Sequence, residues 1–201
     1  MATLKVGLTG GLASGKSTVG RWLEEAGLRV VDADEIVASL YEPEGIGSER
    51  VRELFGDSVM KADGAVDRVK LAERVFSDEA SRRRLEAEIH PLVGEAFARI
   101  AESTRDIVVL EATLLVESGL APLFDIVVTV EADTETRRQR AIRRGLSEQE
   151  AASRLAAQGT GESRRDGAHR TIRNDGSMPD LRAQVDALID DLRELASIRT
   201  G

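Results

Sequence analysis

The chain has 201 residues, no cysteine and a formal net charge of −8, and these properties exclude several classes of protein. Without cysteine there is neither a disulfide framework nor a cysteine-based metal site, and the acidic balance disfavours nonspecific binding to nucleic acid or anionic membranes. Aromatic residues make up only 3% of the chain, too few for a base-stacking platform, and no run of about 18 apolar residues predicts a membrane span. We therefore expect one α/β domain of a cytoplasmic protein that binds neither nucleic acid nor membranes, its oligomeric state open and a monomer favoured.

Apolar runs of strand length recur along the chain, at residues 4–8, 28–31, 107–110 and 126–130. The last two are dense in Val and Ile, as strands buried on both faces are. Because helical patterns alternate with these runs, we predict a mostly parallel sheet with helices on both faces.

Three helical segments carry recognisable end signals. The apolar stripe after the first strand stops at Gly27, and the sequence SEQE at residues 147–150 has the form of a capping box. Pro179 stands in the first turn of a last amphipathic helix. Residues 38–103 separate the second strand from the third and are too long for a simple crossover, so we interpret them as a helical insertion that carries substrate specificity.

The segment GGLASGKS follows the first strand and precedes the first helix. It fits G-x-x-x-x-G-K-S, a P-loop whose backbone N–H groups cradle a polyphosphate beside the positive end of a helix dipole. In such a loop Lys16 reaches the β- and γ-phosphates, the Ser17 hydroxyl ligates Mg²⁺, and Thr18 bonds the α-phosphate. The predicted phosphate-binding residues are Gly10, Gly11, Leu12, Ala13, Ser14, Gly15, Lys16, Ser17 and Thr18.

A P-loop indicates a nucleotide and leaves the reaction open. The signatures of a GTPase are missing, since no Asp stands three residues before a Gly and Asn174 is the only asparagine. A motor or transport ATPase usually needs a longer chain and a strand that ends in an acidic pair. What remains is a small kinase with an arginine-rich lid, and residues 134–165 carry eight arginines against four glutamates. The alternative reading of these arginines is a solvated helix face.

Two aspartates, Asp32 and Asp34, stand at the end of the second strand in the sequence VVDADE. They are expected at the carboxyl edge of a parallel sheet, where ligands of such folds gather. An aspartate there can accept the proton of an attacking hydroxyl, and only one of Asp32 and Asp34 faces the phosphate because the two side chains alternate along an extended chain. The alternative is that Asp34 caps a helix that begins near Glu35.

At this point the sequence resembles the dephospho-CoA kinases, which transfer the γ-phosphate of ATP to the ribose 3′-hydroxyl of dephospho-CoA. The resemblance runs from about residue 5 to residue 192, in order and at fitting spacing. It is carried by the segments GLTGGLASGKSTV, GLRVVDADEIV, DGAVDRVKLAERVF, LEAEIHPLV, EATLLVESGL, FDIVVTVEADTETRRQRAIRRG, RLAAQ and IRNDGS.

The resemblance implies roles for individual residues. Asp32 is implied as the base, with Lys16 and the lid residue Arg140 as the other catalytic groups. Arg144 and Asn174 join the phosphate loop on the ATP side, where Gln158 also matches a family position. The implied substrate-binding residues are Asp32, Asp34, Arg68, His90, Glu111, Leu115 and Arg154. His90 precedes Pro91, which we expect to end a helix, so a capping or packing role is the alternative for this histidine.

The sequence also departs from the family pattern. Glu111 and Thr113 stand where an aspartate and a proline are usual at the end of the third strand. Glu111 keeps the charge and shifts it by one methylene, which leaves a role near Mg²⁺ or its waters open. Arg137 replaces a common glutamine, and His169 replaces a common aspartate before the last strand.

We therefore predict one P-loop kinase domain over residues 1–201, with a five-stranded parallel sheet flanked by helices. Its core spans residues 1–37, 104–133 and 167–201, its helical coenzyme-binding insertion residues 38–103, and its arginine lid residues 134–166. ATP and dephospho-CoA are the expected substrates and Mg²⁺ the cofactor. The rival hypotheses are a kinase for a nucleoside monophosphate or small metabolite, and a noncatalytic ATP-binding module that regulates a partner.

Overall fold

Five strands form a single parallel sheet in the computed structural model, which describes residues 3–76 and 78–200. The strands are ordered β2-β3-β1-β4-β5, and their bounds are β1 (Leu4–Gly10), β2 (Arg29–Asp32), β3 (Ile107–Glu111), β4 (Ile126–Glu131) and β5 (Arg170–Arg173). In the central register, Val6 lies opposite Val109 on one side and Ile126 on the other. The predicted five-stranded parallel sheet is confirmed.

Helices connect the strands and complete the chain. They are α1 (Lys16–Glu25), α2 (Ala33–Leu40), α3 (Ile46–Phe55), α4 (Arg68–Phe76), α5 (Glu79–Ser103), α6 (Thr134–Arg143), α7 (Glu148–Ala157), α8 (Glu162–Asp166) and α9 (Met178–Thr200), with 3₁₀ turns at Asp57–Val59 and Ala121–Leu123. The capping box of α7 is present in full, because the Ser147 side chain accepts from the Glu150 N–H and the Glu150 side chain accepts from the Ser147 N–H. Pro179 lies in the first turn of α9, as the sequence predicts.

The chain divides into two compact units. One comprises the residues up to Val31 and those from Ala101 onward, and the other is Asp32–Ile100. The first unit contains the main apolar core, in which α1 and α9 pack on the sheet. Its members include Leu8, Val19, Leu23, Val109, Val128, Val185 and Leu192. Within the described residues, no helix combines the length and apolar character needed to cross a membrane.

The fifth strand has no apolar run to mark it in the sequence. Of Arg170–Arg173 only Ile172 is buried, because β5 is an edge strand that pairs with β4 alone. Its position therefore depends on pairing, with Thr171 opposite Thr129.

Helix α5 corrects one expectation. The sequence led us to expect that Pro91 ends a helix, but Pro91 lies inside α5, which continues to Ser103. Proline removes one backbone donor and costs about 3 kcal/mol in a helix interior. Burial of Leu92, Val93 and Phe97 on the following turns offsets that cost. His90 is therefore a mid-helix residue and not a helix-end cap.

His169 takes part in the approach to β5. Its backbone N–H donates to the Val127 carbonyl at 2.8 Å, and its ring Nδ1 accepts from the Val127 N–H at 3.0 Å. Val127 is fully buried in β4, so this ring nitrogen satisfies a donor that has no access to water. The histidine thus supplies an acceptor, as an aspartate would.

We predict that His169→Leu lowers the free energy of unfolding by about 1–3 kcal/mol, because it leaves the buried Val127 N–H without an acceptor. His169→Asn, which retains a side-chain oxygen, is expected to lose less than half as much. Urea unfolding followed by circular dichroism measures both values. Equal losses in the two variants would contradict the acceptor role.

Candidate active site

The glycine loop leaves the sheet at the carboxyl end of β1 and leads directly into α1. Gly15 occupies the N-cap position of α1 with φ of 106°, a conformation that favours glycine, and it carries no side chain to cap the helix. A Cβ at this position would also overlap the amide nitrogen of Asn174. The first turn of α1 therefore presents its N–H groups and its positive dipole end as a site for an anion.

Side chains from the distant C-terminal part of the first unit hold this loop in place. Gln158 Oε1 accepts from the Leu12 N–H at 2.7 Å, and Arg137 Nε donates to the Leu12 carbonyl at 2.9 Å. Asn174 Nδ2 donates to the Ser14 carbonyl at 2.7 Å. The loop is thus braced on two of its residues before any ligand binds.

Lys16, Ser17 and Glu111 meet at one point beside the loop. Lys16 Nζ lies 2.7 Å from Glu111 Oε1, and Ser17 Oγ donates to the same oxygen at 3.0 Å. The exposed fraction of Glu111 is only 8%. The structure therefore brings together a cation for phosphate and two oxygens of the kind that Mg²⁺ prefers. The departure at position 111 keeps its carboxylate within reach of the loop.

Arg140, also in the lid segment, approaches the loop through Asn174. Its Nη2 donates to the Asn174 carbonyl at 2.9 Å, and Asn174 in turn contacts Ser14. The buried Nη1 of Arg140 has no hydrogen-bond partner among the described residues. A phosphate oxygen would satisfy this donor. Arg144 and Arg154 are exposed.

Two other lid arginines are buried and serve the protein itself. Burial lowers the pKa of Arg137, with the nearby charge of Arg164 acting in the same direction. Arg164 is fully buried, and its Nη1 lies 2.7 Å from Glu117 Oε1 while its Nε lies 3.4 Å from Glu131 Oε1. Thr129 Oγ1 donates to the same Glu131 oxygen at 2.7 Å. These two arginines therefore do not fit the interpretation of a solvated helix face.

Sequence reasoning missed Glu117 and Glu131 as the partners of Arg164. The available signal was Glu131 at the end of a strand that is otherwise buried, since a carboxylate in such a place needs a cation. Which of the eight lid arginines supplies that cation depends on the path of the chain between α7 and α8.

We predict that Arg164→Met lowers the free energy of unfolding by about 3–5 kcal/mol, because Glu131 then stays buried without its partner. Arg165→Met is the matched control, since that side chain is 39% exposed and reaches Glu131 only at 4.0 Å. It is expected to cost less than about 1 kcal/mol. Chemical denaturation measures the free energy of unfolding of both variants. Similar losses of that free energy in the two variants would contradict the buried-pair interpretation.

The second unit contains Asp32, Asp34, Arg68 and His90. The alternative for Asp34, that it caps a helix beginning near Glu35, is wrong: the helix begins at Ala33 and its cap is Asp32, whose Oδ1 accepts from the Asp34 N–H at 2.8 Å. The β-region backbone at Asp32 lets its side chain reach back to that donor, while Asp34 is already helical and exposed. Among the described residues, Oδ2 of Asp32 makes no hydrogen bond.

Arg68 and His90 occupy different helices of this unit. Arg68 is exposed at the start of α4 and forms no ion pair within the described part of the chain, and the neighbouring Asp67 pairs with Lys70. Burial lowers the pKa of His90, and Glu86 opposes this shift. Burial raises the pKa of the Tyr41 phenol to about 12, and the nearby charge of Arg68 opposes this rise.

Leu115 serves the core of the first unit. Its side chain is fully buried, and its Cδ1 would lie 2.7 Å from a Cβ placed on Gly7. A contact between Leu115 and a substrate stays a prediction from resemblance.

Comparisons with known proteins point to one family. The sequence profile described as dephospho-CoA kinase matches residues 4–180. The chain is 42% identical over 192 residues to a dephospho-CoA kinase of Streptomyces avermitilis, with 94% of each chain covered.

Solved structures show the same fold. The crystal structure of TT1252 from Thermus thermophilus has a TM-score of 0.81 and 34% identity, with 96% of this chain and 99% of that chain covered. The dephospho-CoA kinase of Campylobacter jejuni has a TM-score of 0.69 at 24% identity, over 94% of this chain and 97% of its own. The fold is that of the P-loop kinases.

Proposed function

Because this chain belongs to the dephospho-CoA kinase family, we propose that it transfers the γ-phosphoryl group of ATP to the ribose 3′-hydroxyl of dephospho-CoA. The observation that carries the proposal is the family match over residues 4–180, which includes the phosphate loop, Asp32 and the lid in one order. The chain is accordingly an ATP-dependent phosphotransferase.

The ATP side of the proposal rests on the phosphate loop, residues 10–18. Its N–H groups and Lys16 bind the phosphates, and Arg140 supplies a donor to the transferring group through its Nη1, which has no partner in the described part of the chain. Arg144 closes from the lid, and Asn174 stands on the nucleotide side while it braces Ser14. The positive groups neutralise charge on the phosphoryl group as it passes to the acceptor.

Mg²⁺ is the proposed cofactor, and the residues present fit it. Ser17 Oγ and the Glu111 carboxylate are hard oxygen donors that lie 3.0 Å apart. Magnesium sites of kinases usually use one or two protein oxygens and complete their coordination with phosphates and water. The ion would supply charge neutralisation on the phosphate oxygens when bound.

Asp32 is the proposed general base. One of its oxygens caps the N-terminus of α2, and the other is available to accept the proton of the 3′-hydroxyl.

The proposed substrate-side residues are Asp34, Arg68, His90, Glu111, Leu115 and Arg154. We also propose the division into a core, an insertion at 38–103 and a lid at 134–166 whose closure excludes water.

We predict that the protein converts dephospho-CoA to CoA with Mg-ATP, and that AMP, CMP and shikimate react with kcat/KM at least about 10²-fold lower. Coupled detection of ADP, with separation of CoA by chromatography, measures each rate. Faster turnover of another acceptor favours the small-metabolite kinase hypothesis. ATP binding with no acceptor turned over favours the regulatory module.

Asp32→Asn is expected to lower kcat by about 10²–10⁴-fold, the range for loss of a general base. The amide still caps α2, so the fold and the affinity for ATP should be unchanged. Glu35→Gln is the matched control, because it removes a charge from an exposed first-turn position of the same helix. Steady-state kinetics and ATP titration calorimetry test both variants, and an unchanged kcat in Asp32→Asn would show that the base is misassigned.

A further inference from the structure

A glycine in the interior of α1 lies directly against the carboxylate of Glu111. Gly20 is buried, and a Cβ built on it would overlap Oε2 of Glu111 and lie 3.4 Å from the carboxyl carbon. The next neighbour, Cδ2 of Leu8, would be 3.7 Å away, which is an ordinary contact. The carboxylate is therefore the group that leaves no room for a side chain at position 20.

Nothing else about α1 requires glycine at this position. Gly20 is not among the glycines with positive φ, so its backbone conformation is open to any residue. Inside a helix glycine is less favourable than alanine, because it loses more conformational freedom on folding. A residue that is unfavourable in helices therefore stands at the position of α1 that contacts the Glu111 carboxylate.

The two oxygens of Glu111 face different parts of α1. Oε2 lies against Gly20, while Oε1 accepts from Lys16 and Ser17 one turn earlier. A side chain at position 20 would displace the whole carboxylate, because its two oxygens move together. The space at Gly20 therefore determines whether Oε1 reaches the phosphate loop.

We propose that Gly20 is a positioning residue for this reaction: its missing side chain allows the longer glutamate at position 111 to hold Lys16 and Ser17. The inference rests on the proposed function in so far as those two residues serve Mg-ATP, but the contact itself belongs to the ligand-free protein. An aspartate at position 111 would be one methylene shorter and would withdraw from Gly20.

The test compares four proteins: the unaltered chain, Gly20→Ala, Glu111→Asp and the double variant. We expect Gly20→Ala alone to lower kcat/KM for ATP by about 10- to 100-fold, the cost of a displacement near 1 Å in an active site, and to lower the thermal unfolding midpoint. In the Glu111→Asp background the same change should alter kcat/KM by less than about twofold and raise the midpoint, since alanine favours the helix. Arg21→Ala, at an exposed position of α1, should have equal effects in both backgrounds.

Equal losses from Gly20→Ala in both backgrounds would overturn the inference, because crowding of α1 against the sheet would then explain them. If Gly20→Ala does not fold, the double variant must fold and bind ATP, and its failure would equally overturn the inference. Unfolding and ATP calorimetry need no acceptor, so they separate the two proposals. If Gly20→Ala changes the unfolding midpoint differently with glutamate and with aspartate at position 111, but the protein makes no CoA, the role of Gly20 is supported and the proposed function is refuted. If the protein makes CoA and Gly20→Ala has the same effect in both backgrounds, the proposed function is supported and the role of Gly20 is refuted.

Discussion

The central place of β1 in the parallel sheet is the constraint on which the first unit depends. Because β1 pairs with β3 on one side and β4 on the other, the segments after these strands emerge at the same edge. Glu111 lies opposite Leu8, just below the glycine loop, and Gly10 lies opposite Val130. The phosphate loop therefore forms next to a carboxylate on one side and next to the lid on the other.

A polar edge of this kind is stable only if its own groups are paired. Gln158 accepts from the Leu12 N–H, Arg137 and Asn174 donate to the Leu12 and Ser14 carbonyls, and buried Glu131 is neutralised by Arg164. These contacts pre-form the loop, so that little ordering remains to oppose binding of a polyphosphate. Arginine suits both the bracing of the loop and the neutralisation of Glu131, because it stays charged when buried and offers several donors in a fixed plane.

Much of the fold was predictable because local patterns carry it. Val-rich runs marked β3 and β4, and the capping box marked α7, since these signals depend only on neighbouring residues. The edge strand β5 and the passage of α5 through Pro91 left no such signal, because pairing with β4 and burial of later turns decide them. Which aspartate caps α2 was likewise open in the sequence. The extended backbone at Asp32 lets its side chain reach back to the Asp34 N–H, so Asp32 and not Asp34 is the cap.

The kind of chemistry follows from local sequence patterns. Glycines before Lys16 and Ser17, between a strand and a helix, specify a phosphate cradle through local backbone geometry, and several segments in one order indicate the family. Which arginines face the loop and which neutralise buried carboxylates depends on the folded chain, because identical side chains differ only in their surroundings. The fit of Glu111 against Gly20 is likewise invisible in the sequence, since it joins two elements about 90 residues apart through a space left by a missing side chain.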